Sequence, residues 1–165
     1  MQYNKIRKMD IANGPGVRVS IFMQGCEFNC KGCFNPETHS FNGGKDFTGE
    51  TIDKVIDLAN NDYIAGLSIL GGEALHPKNI DGTTKLAKAF REKYPQKSIW
   101  VWSGFLFDKD LKNKEILNYI DVLVDGPFIQ SLYSPILKWR GSSNQRVIDV
   151  KKSLKKDKIV LFDNE

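Results

Sequence analysis

The sequence predicts an α/β protein whose sheet is an open, partial (β/α) barrel of about five to six mostly parallel strands. Three observations carry this expectation. Apolar, β-branched runs of strand length alternate with amphipathic stretches of helical period, the pattern of βαβ units joined by right-handed crossovers. At about 30 residues per unit, the 165 residues hold only about five units, short of the ~250 residues of a closed eightfold barrel. The cysteine-rich and glycine-rich motifs fall just past the ends of strand-like runs, the edge on which parallel α/β folds carry their chemistry.

The first element follows the turn sequence Asn13-Gly14-Pro15-Gly16: residues 17–23, Val-Arg-Val-Ser-Ile-Phe-Met, read as the first strand. Residues 41–48 contain Gly43-Gly44 and read as coil, after which Thr48 or Thr51 caps a helix carrying Ile52, Val55, Ile56 and Ala59 at helical spacing. Residues 64–70 are a mostly apolar strand running into Gly71-Gly72-Glu73. Residues 81–94 form an amphipathic helix with Leu86, Ala87, Ala89 and Phe90 inward and Lys85, Lys88, Arg91, Glu92 and Lys93 outward, ended by Pro95. Residues 98–102 are a strand running into Ser103-Gly104, residues 108–119 a helix, and residues 121–124 a strand running into Asp125-Gly126-Pro127. Beyond residue 127 the pattern weakens: 139–145 is loop-like, and 146–150 and 158–162 read as short strands. No linker, internal repeat or low-complexity segment interrupts the chain, so residues 1–165 read as a single domain.

With 41% apolar residues the chain has enough material for a buried core. No apolar run approaches the ~18 residues of a membrane span, and the first residues lack an apolar signal region, so no membrane partner is expected. Three cysteines fit a disulfide framework poorly and fit a reducing compartment, which points to the cytoplasm. The net charge of +4 is concentrated in Lys151, Lys152, Lys155, Lys156 and Lys158. That run reads as a solvated face; it suits phosphate or an acidic partner as well, but it lacks the interleaved aromatics of a nucleic-acid surface, so no nucleic-acid partner is expected.

All three cysteines lie between residues 24 and 36, as Cys26, Cys30 and Cys33 spaced C-x3-C-x2-C. A tight loop of this kind aims three thiolates at one metal centre. A [4Fe-4S] cube fully ligated by protein takes four cysteines, so three leave one iron open for exogenous chemistry. The same residues also allow a structural Cys3His zinc site with His39, because soft thiolates suit both metals. A self-contained zinc loop, however, leaves the glycine motifs at the other strand ends without a purpose.

The C-x3-C-x2-C loop following a short apolar run resembles the cluster motif of the radical S-adenosylmethionine (radical SAM) enzymes. The resemblance extends in order from about residue 10 to residue 148, through the segments 13–18, 25–35, 71–77, 122–128 and 140–145, and within that superfamily it is to the activating proteins of anaerobic ribonucleoside-triphosphate reductase. It implies a radical SAM type of partial barrel, a [4Fe-4S] cluster held by Cys26, Cys30 and Cys33, and S-adenosylmethionine as the second cofactor. It further implies reductive cleavage to a 5′-deoxyadenosyl radical, which would abstract hydrogen from a glycine on the large subunit of the reductase. The electron would come from a flavodoxin-type or other low-potential donor.

By the same resemblance Gly72 and Glu73 belong to the family's Gly-Gly-Glu motif beside the methionine moiety, where glycine admits close backbone approach and the carboxylate accepts from the amino group. Ala74 stands where relatives often carry proline. Gly32, Cys33 and Phe34 would line the adenine pocket, with the aromatic residue one place later than in several relatives. Ser103 and Gly104 match the region that contacts ribose; a helix N-cap turn is the other reading of that pair. His39 and His76 read as structural, and buried structural polarity is an open reading for Asp125 and Asn144. Asp125 and residues 140–145 have no chemistry derivable from spacing. No side chain stands out as a general acid or base, so no catalytic residue is expected beyond the cluster ligands. The alternatives are another small radical SAM enzyme acting on a small molecule or on a different glycyl-radical enzyme, and a zinc-stabilised interaction module.

Overall fold

The computed structural model describes residues 1–163. In chain order the elements are β1 (Gln2–Asp10), β2 (Val17–Gln24), β3 (Lys45–Asp46), α1 (Gly49–Leu58), β4 (Ile64–Gly71), α2 (Ile80–Lys93), β5 (Ser98–Trp102), β6 (Val122–Asp125), β7 (Arg146–Asp149) and α3 (Val150–Lys156). The strands form one open sheet in the order β3-β1-β2-β4-β5-β6-β7. β2, β4, β5 and β6 run parallel in register, joined through α1, α2 and a 3-10 turn at Glu115–Asn118. β1, β3 and β7 are antiparallel.

The expected openness is therefore present, but the expected count and direction need correction: the described residues form seven strands, and three of their six pairings are antiparallel. β1 was not expected because its sequence, Gln-Tyr-Asn-Lys-Ile-Arg-Lys-Met-Asp, is too polar to alternate clearly; only Tyr3 and Asp10 are buried along it, and pairing with β2 holds it. The helix expected over 108–119 is replaced by turns and the 3-10 segment. Asn113 takes a left-handed conformation, φ 68°, and this breaks the helical phase between Leu111 and the buried pair Ile116 and Leu117. The strand expected at 158–162 is a single bridge from Leu161 to Ile148. Part of the lysine run forms α3, capped by the Asp149 carboxylate accepting from Lys152 N–H at 3.0 Å.

Alternation along the parallel strands divides the sheet into two chemically distinct faces. Val19, Ile21, Met23, Leu67, Ile69, Ile99, Val101 and Leu123 point to the helical side and form the core with Val55, Leu86, Ala87 and Phe90. The opposite face carries Arg18, Ser20, Phe22, Ser68, Leu70, Trp100 and Trp102. At its β5–β7 end Trp100, Val122 and Val124 make a second cluster with Trp139, Val147 and Phe162. Arg18 is fully buried there and donates to Ser68 Oγ (2.7 Å), Ser98 Oγ (2.9 Å) and the carbonyls of Leu67, Ser98 and Pro15, which pins the 13–16 turn across β2, β4 and β5. Burial, partly offset by Asp121 and Asp10, brings its pKa down to about 10, so the guanidinium stays charged at neutral pH. Among the described residues no helix is long and apolar enough to cross a membrane.

Candidate active site

Because β2, β4, β5 and β6 are parallel, their C-terminal ends share one edge, and the loops leaving that edge are Gly25–Cys33, Gly71–Glu73, Ser103–Gly104 and Gly126–Pro127. These loops enclose a cavity of ≈ 500 Å³ that runs onto the open sheet face. Its walls include Cys26, Cys30, Cys33, Phe34, His39, Gly72, Glu73, Ser103 and Gly104, so of the expected cluster and cofactor residues only Gly32 is missing from the lining.

The cysteine loop is fixed by its neighbours. Gly25 N–H donates to Thr38 O (2.7 Å) and Cys26 N–H to His39 O (3.0 Å), closing the base of the loop. Buried Gln24 donates to Glu37 O (3.0 Å) and Ser40 O (2.8 Å), holding the returning chain. Gly25 takes φ +106°, and a Cβ there would lie 2.1 Å from the Phe41 ring, so glycine is required. His76 accepts from Lys78 N–H at Nδ1 (3.0 Å), which leaves Nε2 to donate to Glu27 (3.1 Å), and it packs against Phe41 at 4.7 Å. This makes His76 a tether of the cysteine loop, in keeping with its structural reading.

Glu73 joins two strand ends. Its residue is 1% exposed, Oε1 accepts Gly104 N–H (2.7 Å), and Oε2 accepts the Ser103 hydroxyl (2.8 Å) and Leu75 N–H (2.9 Å). Ser103 is thus a partner of Glu73 and of Phe105 N–H (3.0 Å), and no helix follows it to be capped. Burial pushes the Glu73 pKa up to about 7 against the lowering effect of the Gly104, Leu75 and Ser103 hydrogen bonds. Oε1 has one lone pair beyond the bond from Gly104, enough for one further donor. Asn79, also buried, donates to Glu73 O (2.9 Å) and Gln24 O (3.2 Å) and so ties this loop to the cysteine loop. A Cβ on Gly72 would meet the carbonyls of Gly25 and Thr38, each at 2.7 Å, so close backbone packing within the chain by itself requires glycine there.

The other two strand ends reach the same loop. Phe28 lies edge-on to Phe105 at 5.0 Å and fills the space a Cβ on Gly104 would take. Gly32, at φ +76°, sits against Gln130, and Phe34 packs on Phe128 at 4.9 Å, close over Gly141. Phe34 is 62% exposed, which places it on the cavity rim. Residues 140–145 hold this wall: Gln145 accepts from Gly141 N–H and Ser142 N–H and donates to Gly126 O (2.9 Å), while Asn144 donates to Pro127 O (2.7 Å). Asp125 is fully buried and accepts from Phe107 N–H (2.9 Å) and twice from Arg146 (3.0 and 2.6 Å), so it is a structural clamp. Gln24, Asn79 and Arg146 carry no motif; a lone polar residue at a strand end, or for Asn79 just before a helix, was their only signal.

The donor set suits an iron-sulfur cluster. Three half-buried thiols face one cavity, Asn35 N–H donates to Cys33 Sγ (3.4 Å), and Phe28 N–H bonds the Cys26 sulfur, as amides commonly do around cluster thiolates. Burial, then the Glu73, Cys30 and Cys33 charges, outweigh the Phe28 bond and push the Cys26 thiol up, so binding metal there releases a proton. As placed, no three Cys, His, Asp or Glu side chains among the described residues form a group that could hold a metal ion; this holds for the Cys3His set with His39 as well.

The cysteine loop suits an iron-sulfur protein, and comparison with known proteins gives that class: the model of the 4Fe-4S single cluster domain family matches residues 12–148. The chain is 43% identical over 150 residues to the anaerobic ribonucleoside-triphosphate reductase-activating protein of Salmonella typhi, covering 89% of this chain and 97% of the relative. It is 42% identical to the protein of that name from Escherichia coli (strain K12), with the same coverage. To that of Enterobacteria phage T4 it is 39% identical over 147 residues, 89% of this chain and 93% of the relative. The chain belongs to the anaerobic ribonucleoside-triphosphate reductase-activating proteins.

Proposed function

We propose that residues 1–165 act as one radical SAM activase domain in the cytoplasm, generating a glycyl radical on the large subunit of anaerobic ribonucleoside-triphosphate reductase. The observation that carries this reading is the convergence of four strand-end loops on one cavity, with three thiols on one wall and the Glu73 carboxylate on another. The names of the relatives supply the partner. Cys26, Cys30 and Cys33 would hold a [4Fe-4S] cluster, which when bound supplies the electron, drawn from a flavodoxin-type or other low-potential donor, that cleaves S-adenosylmethionine to methionine and a 5′-deoxyadenosyl radical.

The chain's own residues bind, orient and exclude water. Glu73 offers its remaining lone pair to the amino group of S-adenosylmethionine, and its bonds to Ser103 and Gly104 keep that acceptor in one orientation. Ser103 and Gly104 would contact the ribose and the backbone of Cys33 and Phe34 the adenine, a reading supported by their place in the cavity wall. Trp102 and Trp139 close the apolar side, with Trp102 Nε1 donating to Trp139 O at 2.7 Å. The open edge leaves one flank of the cavity without a protein wall, so a partner is needed to shield a reactive radical from water.

The test is to mix anaerobically reconstituted protein with reductant, S-adenosylmethionine and the reductase, and to follow the glycyl radical by electron paramagnetic resonance. A glycine doublet is expected, lost when the target glycine of the reductase is changed to alanine. S-adenosylmethionine cleavage without any reductase radical, accompanied by turnover of a free metabolite, would replace this reading with the small-molecule one.

A further inference from the structure

The chain leaving β6 carries an exposed apolar surface that neither the thiols nor the Glu73 network requires. From Gly126 to Leu137 twelve consecutive residues include no charged side chain, in a chain where 27% are charged. Yet the stretch stands in water: Leu132 is 41% exposed, Tyr133 48% and Ile136 89%. With Ile129 and Phe34 these make five of the eleven exposed large apolar side chains among the described residues, four of them within the eight residues 129–136. Phe34 links the patch to the cysteine loop, its ring 4.9 Å from Phe128 and 5.9 Å from Tyr133.

The patch is held in shape. Tyr133 bridges antiparallel to Ser142, Ser134 N–H donates to Gly141 O (3.3 Å), and Ser143 N–H donates to Leu132 O (3.0 Å), so the segment forms a short hairpin arm with Ile136 near its tip. The Gln145 and Asn144 bonds to Gly126 and Pro127 fasten its base. A preformed, largely apolar surface of this kind marks a protein interface.

We propose that this arm, together with Phe34, is the surface on which the reductase polypeptide docks the segment bearing its target glycine. The inference rests on the activase reading above. Two features select that occupant. Tyr133, Ser134 and Pro135 line the mouth of the cavity, so a chain lying on the arm continues directly into the site. The reacting carbon would be a main-chain Cα, so the partner must bring its own backbone to this mouth, and an apolar rim receives an uncharged peptide segment. Nucleic acids and anionic membrane surfaces are instead captured by clusters of cations, and the arm carries only Lys138 and Arg140, the latter turned inward onto the carbonyls of Ser143 and Gln145.

The experiment measures the affinity of the reconstituted full chain for the reductase, with Ile136→Asp and Leu132→Asp as variants. Tyr63→Asp serves as control, an exposed site in the turn before β4, at the sheet edge opposite the cysteine loop. Each arm variant should weaken the complex by about tenfold or more, as loss of one buried apolar side chain predicts. Iron content and S-adenosylmethionine affinity should be unchanged, and Tyr63→Asp should bind as wild type. Wild-type affinity in both arm variants overturns the proposal. So does retained reductase affinity with loss of self-association, or with loss of binding to phosphatidylglycerol vesicles, because the arm would then serve a second copy or a membrane. Failure of the docking proposal alone leaves the glycyl radical yield of Ile136→Asp at the wild-type level, whereas failure of the activase reading shows as no radical with the wild-type protein.

Discussion

Replacing Glu73 with Gln probes how the two central strand ends are locked together. The carboxylate accepts from Gly104 N–H on one oxygen and from Leu75 N–H and the Ser103 hydroxyl on the other. A glutamine amide has a single accepting oxygen, so in either orientation one of the two backbone N–H groups faces an NH2 group. An unpaired buried N–H costs about 1–3 kcal/mol, which in a domain of this size lowers Tm by about 2–12 °C. At about pH 5, where the native carboxyl is protonated, E73Q should show that deficit. The wild-type protein then loses its advantage as pH rises. Burial, against the Gly104, Leu75 and Ser103 bonds, raises the native pKa from 4.5 to about 7, so within that window the folded state holds a proton that the unfolded chain has released. Stability contributed by this group therefore falls with increasing pH, by an amount on the order of 3 kcal/mol. Glutamine does not titrate, so the gap should close or reverse by about pH 8. Differential scanning fluorimetry of both proteins from pH 5 to 8 reads the difference directly. A deficit that stays constant or widens with pH would refute the reasoning.

Three further outcomes are expected. Cys26→Ala, Cys30→Ala and Cys33→Ala should each fail to retain the cluster, with iron and sulfide falling from about four per chain to well below one; full iron in any one of them would remove that thiol from the ligand set. Arg146→Ala leaves the buried Asp125 carboxylate with only Phe107 N–H, and urea unfolding should show a loss of about 3–5 kcal/mol; a loss under about 1 kcal/mol would mean that the clamp holds nothing. The ratio of wild-type to E73Q affinity for S-adenosylmethionine, measured by calorimetry, should grow between about pH 6 and pH 8 to roughly tenfold, because ionised Glu73 is the better acceptor. A ratio that is flat across this range would place the amino group elsewhere.

The parallel core of the sheet was legible because buried strands need mostly apolar, β-branched runs, and residues 17–23, 64–70, 98–102 and 121–124 supply them despite Arg18, Ser20, Ser68, Ser98 and Asp121. The antiparallel additions were not. β1 is mostly polar and takes most of its pairing from β2, and a two-residue strand such as β3, which pairs only with the start of β1, has no periodicity to read. The candidate site was legible as a set of strand-end motifs, since parallel strands bring their C-terminal ends to one edge whatever the sequence distance between them. What the sequence withheld was the wiring. Glu73 is pinned by Ser103 and Gly104, 30 and 31 residues away, and Asp125 by Arg146, 21 residues away. Such pairings arise only once the strands are placed side by side, and residues 140–145, whose spacing showed no chemistry, become the fastening of the cavity wall for the same reason.

The central claim is that this cavity delivers a radical to a protein glycine. Its most direct test follows hydrogen: the reductase is prepared with deuterium at glycine Cα, mixed with reconstituted protein, reductant and S-adenosylmethionine, and the 5′-deoxyadenosine formed is analysed by mass spectrometry. The account predicts one deuterium in 5′-deoxyadenosine, formed in proportion to the glycyl radical and absent when the target glycine is alanine. Unlabelled 5′-deoxyadenosine from the labelled reductase, with label arriving readily from a free metabolite, would contradict it.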